Sequence, residues 1–337
     1  MRVLGARCSP GRVAKWLRRR LGRDGGEAAP AGTVSRMADH LATRRTFLLG
    51  SAATTALVLT GCGSGGGDEG DGGASTTGAG AASPGLIQVF PPSGFVVAGI
   101  PQRMALALAG KSGAPLADDA PTDLEVTIVG TGSTKLDPVA KTVKRHFDGV
   151  PIAYYPLEFT FDAPGTYALQ ADTPLGASDA AVQVSEAGAV ALVQVGGAIP
   201  KVDTPTLTDA RGVDPICTRE PACPYHATNV ADLVGVQPFV MIVSTPAFCQ
   251  IGVCGPVLDN LVEVATEYPG LAIVHVEVYP NDQGPSGGST TPMVEALGMT
   301  YEPAMFAVGA DGAVVARLDN VWDIAETVEL LSNPGLR

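Results

Sequence analysis

Cations are missing from most of this chain. No Lys or Arg stands between Arg219 and Arg317, and of the 22 in the whole sequence eleven lie in residues 1–61, beside only three acids. The remainder sets 11 cations against 31 acids, a net charge near −20. Phosphate binding rests on clustered cations, so nucleic acid is excluded as a partner and the acidity is read as serving solubility. Long apolar runs are missing too. Residues 47–59 form a weakly hydrophobic stretch that is too short, and too rich in Ala, Thr and Gly, to be a spanning helix. Cysteine is absent from residues 86–186, and the one His there, His146, has no neighbouring ligand residues. That region reads as a spacer or docking module, with His146 a solvated loop residue. What is present is bulk: 337 residues at 45% hydrophobic composition suffice for more than one core, so two domains are expected.

The amino-terminal cations have a pattern. Thr43-Arg44-Arg45-Thr46-Phe47-Leu48 puts two adjacent arginines before the weakly hydrophobic stretch, which closes on Leu59-Thr60-Gly61-Cys62. The first motif resembles a twin-arginine export signal and the second a bacterial lipobox. The resemblance implies export, acylation of Cys62 as a new amino terminus, and anchoring through that lipid to the outer face of the cell membrane. Met37 is an alternative start, which would leave Cys8 and Arg18 to Arg20 out of the product. Residues 1–62 are then the signal region. Residues 63–84, mostly Gly, Ala, Ser and Thr with three acids, are expected to be a disordered tether with a reach on the order of 25 Å.

Residues 85–187 carry short apolar or alternating runs at 95–98, 103–108, 124–129, 154–161, 166–171 and 180–184, separated by Gly, Pro and Asp clusters. Strands with turns and no helical period predict an all-β sandwich. Asp162-Ala163-Pro164-Gly165-Thr166-Tyr167 resembles the corner of immunoglobulin-like domains, in which a Tyr hydroxyl ties back to the backbone.

From residue 193 to 337 the pattern becomes α/β. Residues 239–243 are apolar, long enough for one buried strand, and end at Ser244-Thr245-Pro246. Cys254-Gly255-Pro256 precede Val257, Leu258, Leu261, Val262 and Ala265 at helical spacing. Cys249 and Cys254 therefore lie between a strand and a helix start, where unpaired amides and the helix dipole favour a thiolate. A short helix at 229–233 comes before that strand. A strand at 271–278, a helix at 291–297, a hairpin of two strands turning at Ala310-Asp311-Gly312 and a last helix at 322–331 follow. This order, with Cys254-Gly255-Pro256 and the lead-in Val195-Gly196, Ile199-Pro200, Leu207 and Asp209, resembles the membrane-tethered bacterial thioredoxin-like oxidoreductases. The resemblance implies an α/β thioredoxin-like domain, a cis Pro303 lying against the active-site sulfurs, and thiol–disulfide exchange with extracytoplasmic protein thiols or disulfides. It assigns Cys254 as the attacking thiolate, and no cofactor. Val257 stands where the family has its second cysteine, so Cys249 must complete the pair as the resolving thiol. Residues 240–243 supply no acid to assist proton transfer.

Two other readings stay open. Thr245-Pro246 followed by Cys249-x4-Cys254-Gly255 also resembles the peroxiredoxins of the bacterioferritin-comigratory type, which implies that Cys249 attacks peroxide and Cys254 resolves. Pro246 stands where those enzymes need Thr or Ser, and Glu302-Pro303 where an Arg is expected. In the other reading the pair is a static bridge and the Pro303 face holds a peptide or copper. Cys217-x5-Cys223 is read as a structural disulfide, adding on the order of 2 kcal/mol. A zinc or cuprous copper site joining His226 to those sulfurs is the alternative, and no metal is the preferred expectation. His275, between Val274 and Val276, reads as a packed or hydrogen-bonded core histidine rather than a ligand.

Overall fold

Among the described residues, eight strands precede residue 187 and helices enter only from there on. A computed structural model describes residues 85–91, 93–174 and 176–337. Arg44, Arg45, Cys62 and the tether at 63–84 lie outside the described residues. The strands are β1 (Gly85–Gln88), β2 (Val96–Val97), β3 (Pro101–Ala109), β4 (Asp123–Gly130), β5 (Val139–Lys144), β6 (Tyr155–Thr160), β7 (Gly165–Thr173) and β8 (Gly176–Ser185). They form a three-stranded sheet, β1-β3-β6, and a five-stranded sheet, β2-β8-β7-β4-β5. Alternation along β3 explains how both of its faces are used. Met104, Leu106 and Leu108 share one core with Val126 and Ile128 of β4, Leu169 of β7 and Val182 of β8, so the two sheets enclose that core. Ala105 points the other way, into a second core with Tyr154, Trp322, Ile324 and Val328. The Tyr167 hydroxyl donates to the Ala163 carbonyl at 2.7 Å, the tie-back expected at that corner.

The carboxy-terminal part contains α1 (Val230–Leu233), β9 (Phe239–Val243), α2 (Cys254–Val264), β10 (Ala272–Val276), α3 (Pro292–Ala296), β11 (Ala304–Val308), β12 (Val314–Asp319) and α4 (Ile324–Leu331). Its sheet runs β10-β9-β11-β12, with β9 parallel to β10 and antiparallel to β11. β9 is a central strand covered on both faces, which is why all five of its residues are apolar and buried. Two helices start where the sequence offers a cap: Asn229 accepts from the Ala231 amide before α1, and Asp323 from the Glu326 amide before α4. No helix among the described residues is long and apolar enough to cross a membrane.

The two parts are joined by buried polar contacts. Arg103 on β3 meets Glu326 of α4 through both carboxylate oxygens at 2.6 and 2.7 Å, and donates to the Asp319 and Val321 carbonyls. The Tyr154 hydroxyl donates to Glu326 and accepts from the Asp323 amide. His146 is not a solvated loop residue. It is half-buried and paired with Asp323 at 3.0 Å. Burial opposes its charged form, but the hydrogen bond and charge of Asp323 outweigh that and raise its pKa. The connector follows β12: the Gly196 amide donates to the Val314 carbonyl, and the Val314 amide to Gly197. On the far side of this sheet the irregular segment 200–229 runs along β10, whose His275 amide donates to the Tyr225 carbonyl.

Candidate functional site

β9 ends at Val243, and residues 244–253 loop over to α2. The residue at the N-cap of that helix is Val253, whose side chain accepts nothing, so the first amides have no side-chain cap. The sulfur of Cys249 takes that place. The Cys254 amide donates to it at 3.3 Å, and the amides of Val253 and Ile251 also point to it. Gly252, at φ 68, makes the left-handed turn that folds the loop back on itself. The consequence is a Cys249 pKa lowered to about 6. The Cys254 thiol contributes most to that shift, burial opposes it, and the three amides add to it. Cys254 is fully buried, and desolvation followed by the interaction with Cys249 pushes its thiol far up. The sequence led to a thiolate at Cys254, whereas these shifts favour Cys249. The helix-end amides project into the loop before α2, where Cys249 sits, while Cys254 gives its amide to that cluster and turns its side chain inward.

Antiparallel register sets Ala304 opposite Val243, so the start of β11 lies beside the exit of β9. Pro303 is buried there and its bond to Glu302 is cis. The Glu302 carboxyl is held above the ordinary carboxylate range by burial and then by the Cys249 charge, and it acts in turn on Cys254. An acid therefore accompanies the thiols, from the bend that enters β11 rather than from β9 itself. Phe248 and Tyr279 meet edge to face at 6.0 Å, and Ile251 is 48% exposed, giving Cys249 an apolar rim. Gly284 lets the neighbouring loop pass this rim, since a Cβ there would lie 2.6 Å from the Phe248 ring.

A second cluster sits at the edge of the sheet. Cys217, Cys223, His226 and His275 are all buried, and their sulfur and nitrogen atoms lie within 4.8 Å of one another. Cys217 and Cys223 are free thiols here, where a mutual disulfide was expected. His275 Nδ1 is 3.8 Å from Cys217 Sγ, 3.4 Å from Cys223 Sγ and 3.3 Å from His226 Nε2, and His226 Nε2 is 3.3 Å from Cys223 Sγ. The interaction with Cys223 draws Cys217 well below the ordinary thiol range against burial, and pushes Cys223 up. His275 is the buried, hydrogen-bonded histidine expected, and its Nδ1 also faces this cluster. That proximity had no signal in the sequence, because the partners are more than forty residues away in a segment without periodicity. Thr218 connects the two clusters. Its amide and hydroxyl donate to Glu277 Oε1 at 2.6 and 2.9 Å, and its oxygen accepts from the Ala247 amide in the thiol loop at 3.2 Å.

No protein-family model and no curated protein matches the chain. Among solved structures, a modular endo-β-1,4-mannanase from Cellulomonas fimi shares 23% identity over 34% of this chain, at a TM-score of 0.20. A superoxide reductase (neelaredoxin) from Ignicoccus hospitalis shares 15% identity over 31% of this chain and 83% of its own, at a TM-score of 0.22. The chain spans 21% of the mannanase's length. Likenesses of this size carry no argument about fold or chemistry.

Proposed function

We propose that the chain is an extracytoplasmic, lipid-anchored thioredoxin-like protein that exchanges thiols and disulfides through Cys249 and Cys254. The observation that carries this reading is a partly exposed Cys249, capped by helix-end amides, above a fully buried Cys254. The sheet order β10-β9-β11-β12, with the thiol loop between β9 and α2 and Pro303 entering β11, supports the thioredoxin-like assignment. Two facing sheets and the Tyr167 tie-back support an immunoglobulin-like sandwich before it.

In this mechanism the Cys249 thiolate attacks one sulfur of a partner disulfide. That S–S bond breaks, a mixed disulfide forms, and the partner's other sulfur leaves as a thiolate. Cys254 then gives its proton to Glu302 or to the departing thiolate and attacks Cys249. The pair ends as a disulfide and the partner as two thiols, so two electrons pass to the partner; the reverse sequence oxidises a dithiol. A peroxidase would need a cation to polarise the peroxide, and none of the groups that shift the Cys249 pKa is a cation.

Single substitutions test the assignment. Cys254→Ser traps a mixed disulfide through Cys249 with a disulfide-bearing peptide, and Cys249→Ser traps none. Trapping through Cys254 alone would restore the opposite roles. Rapid peroxide consumption by Cys254→Ser through a Cys249 sulfenic acid, without peptide trapping, would favour the peroxidase.

A further inference from the structure

We infer that Cys217, Cys223, His226 and His275 form a closed, tetrahedral zinc site. Zinc bonds of about 2.3 Å to sulfur and about 2.0 to 2.1 Å to nitrogen, at tetrahedral angles, set two nitrogens about 3.3 Å apart and a nitrogen and sulfur about 3.6 Å apart. The nitrogens of His226 and His275 are 3.3 Å apart, and the three nitrogen-to-sulfur separations given above, 3.3, 3.4 and 3.8 Å, bracket the other edge. Four of the six edges of the donor figure thus have the right size, and the other two lie within 4.8 Å.

The tautomer agrees. His275 Nε2 lies 3.1 Å from the Ser244 carbonyl, which only accepts, so Nε2 carries the proton and Nδ1 presents a lone pair to the cluster. His226 has no comparable support: its Nδ1 is buried without a partner, so the contacts of Nε2 in the cluster are what orient the ring. A disulfide between Cys217 and Cys223 would need the sulfurs at about 2.0 Å and would remove both S–H groups from the face of a bare Nδ1. Two thiolates cancel the charge of a divalent ion, so the complete centre is neutral, which suits a site where every ligand residue is less than a tenth exposed. Two sulfurs and two imidazoles in a tetrahedron suit zinc, whereas calcium and magnesium take oxygen.

The ligands also explain how segment 200–229 is held. Three come from this stretch without regular structure and the fourth from β10, so the ion would pin the segment to the sheet. Thr218, one residue after Cys217, accepts from the thiol loop at Ala247, so the pin reaches the loop of Cys249.

The test uses the full chain, purified without chelator, and its Cys249→Ser/Cys254→Ser double variant. Both should hold about one zinc per chain. Peptides bearing Cys217 and Cys223 should resist native alkylation until a strong chelator is added, and then react as free thiols. His275→Gln and Cys217→Ser should lose the zinc. Should those variants not fold, cobalt exchanged into the unaltered chain should give the visible absorption of a tetrahedral site with thiolate ligands. A disulfide between Cys217 and Cys223, copper in place of zinc, or no metal would overturn the proposal. Zinc lost from the double variant would move the site to the other thiols and overturn it equally. Because metal content is read there without the reactive pair, the result is independent of the trapping experiment.

Discussion

Cys249 owes its low pKa first to the neighbouring Cys254 thiol and then to backbone amides, in a stretch of sequence without Lys or Arg. A thiol capping a helix start meets several fixed N–H dipoles at once, which a flexible cation does not offer. In the reduced chain, alkylation of Cys249 should rise with pH about a midpoint near 6. Cys254→Ala removes the largest contribution and should move that midpoint toward the ordinary thiol value. The sign is fixed: a folded pKa below the unfolded one adds stability above the ordinary thiol pKa, and that contribution is lost as pH falls through about 6. Mass-resolved alkylation across pH measures the midpoint, and a value above 8 would refute the capping argument.

Among the elements, those with a strong period were legible. Five consecutive apolar residues announced β9, and Val257, Leu258 and Leu261 announced α2. β1 and β5 were not anticipated, because one has four residues and the other is largely exposed, with little apolar pattern to read. The thiol pair and Pro303 were found from sequence, since their positions follow from the order of elements. The roles of the two sulfurs depend on which way the loop turns them, for which the sequence has no local signal. Contacts between distant elements had no local signal, and Arg103 with Glu326 is the clearest case. Arg103→Met would leave that carboxylate buried beside Tyr154 without its cation, and stability should fall by about 3 to 5 kcal/mol. Chemical denaturation reads this directly. A loss below about 1 kcal/mol would mean that the pair contributes no more than a surface bridge does.

For the whole molecule, the two parts share buried charges and a connector hydrogen-bonded to β12, so the β-rich part is fixed to the thiol-bearing part rather than hung from it. The location proposed for it rests on Arg44, Arg45 and Cys62. Cys62→Ala should shift the protein from the membrane fraction to the soluble exported fraction, and continued retention on the membrane would count against the lipid anchor. The four-stranded sheet adds a property that matters at such a surface. Tyr225 occupies a backbone position on the outer side of β10, and Gly196 with Gly197 does the same on β12. An open strand edge is a template for pairing with another chain. Copies crowded side by side on one membrane would have to peel off their own connector or the segment at Tyr225 before this sheet could stitch them into a polymer.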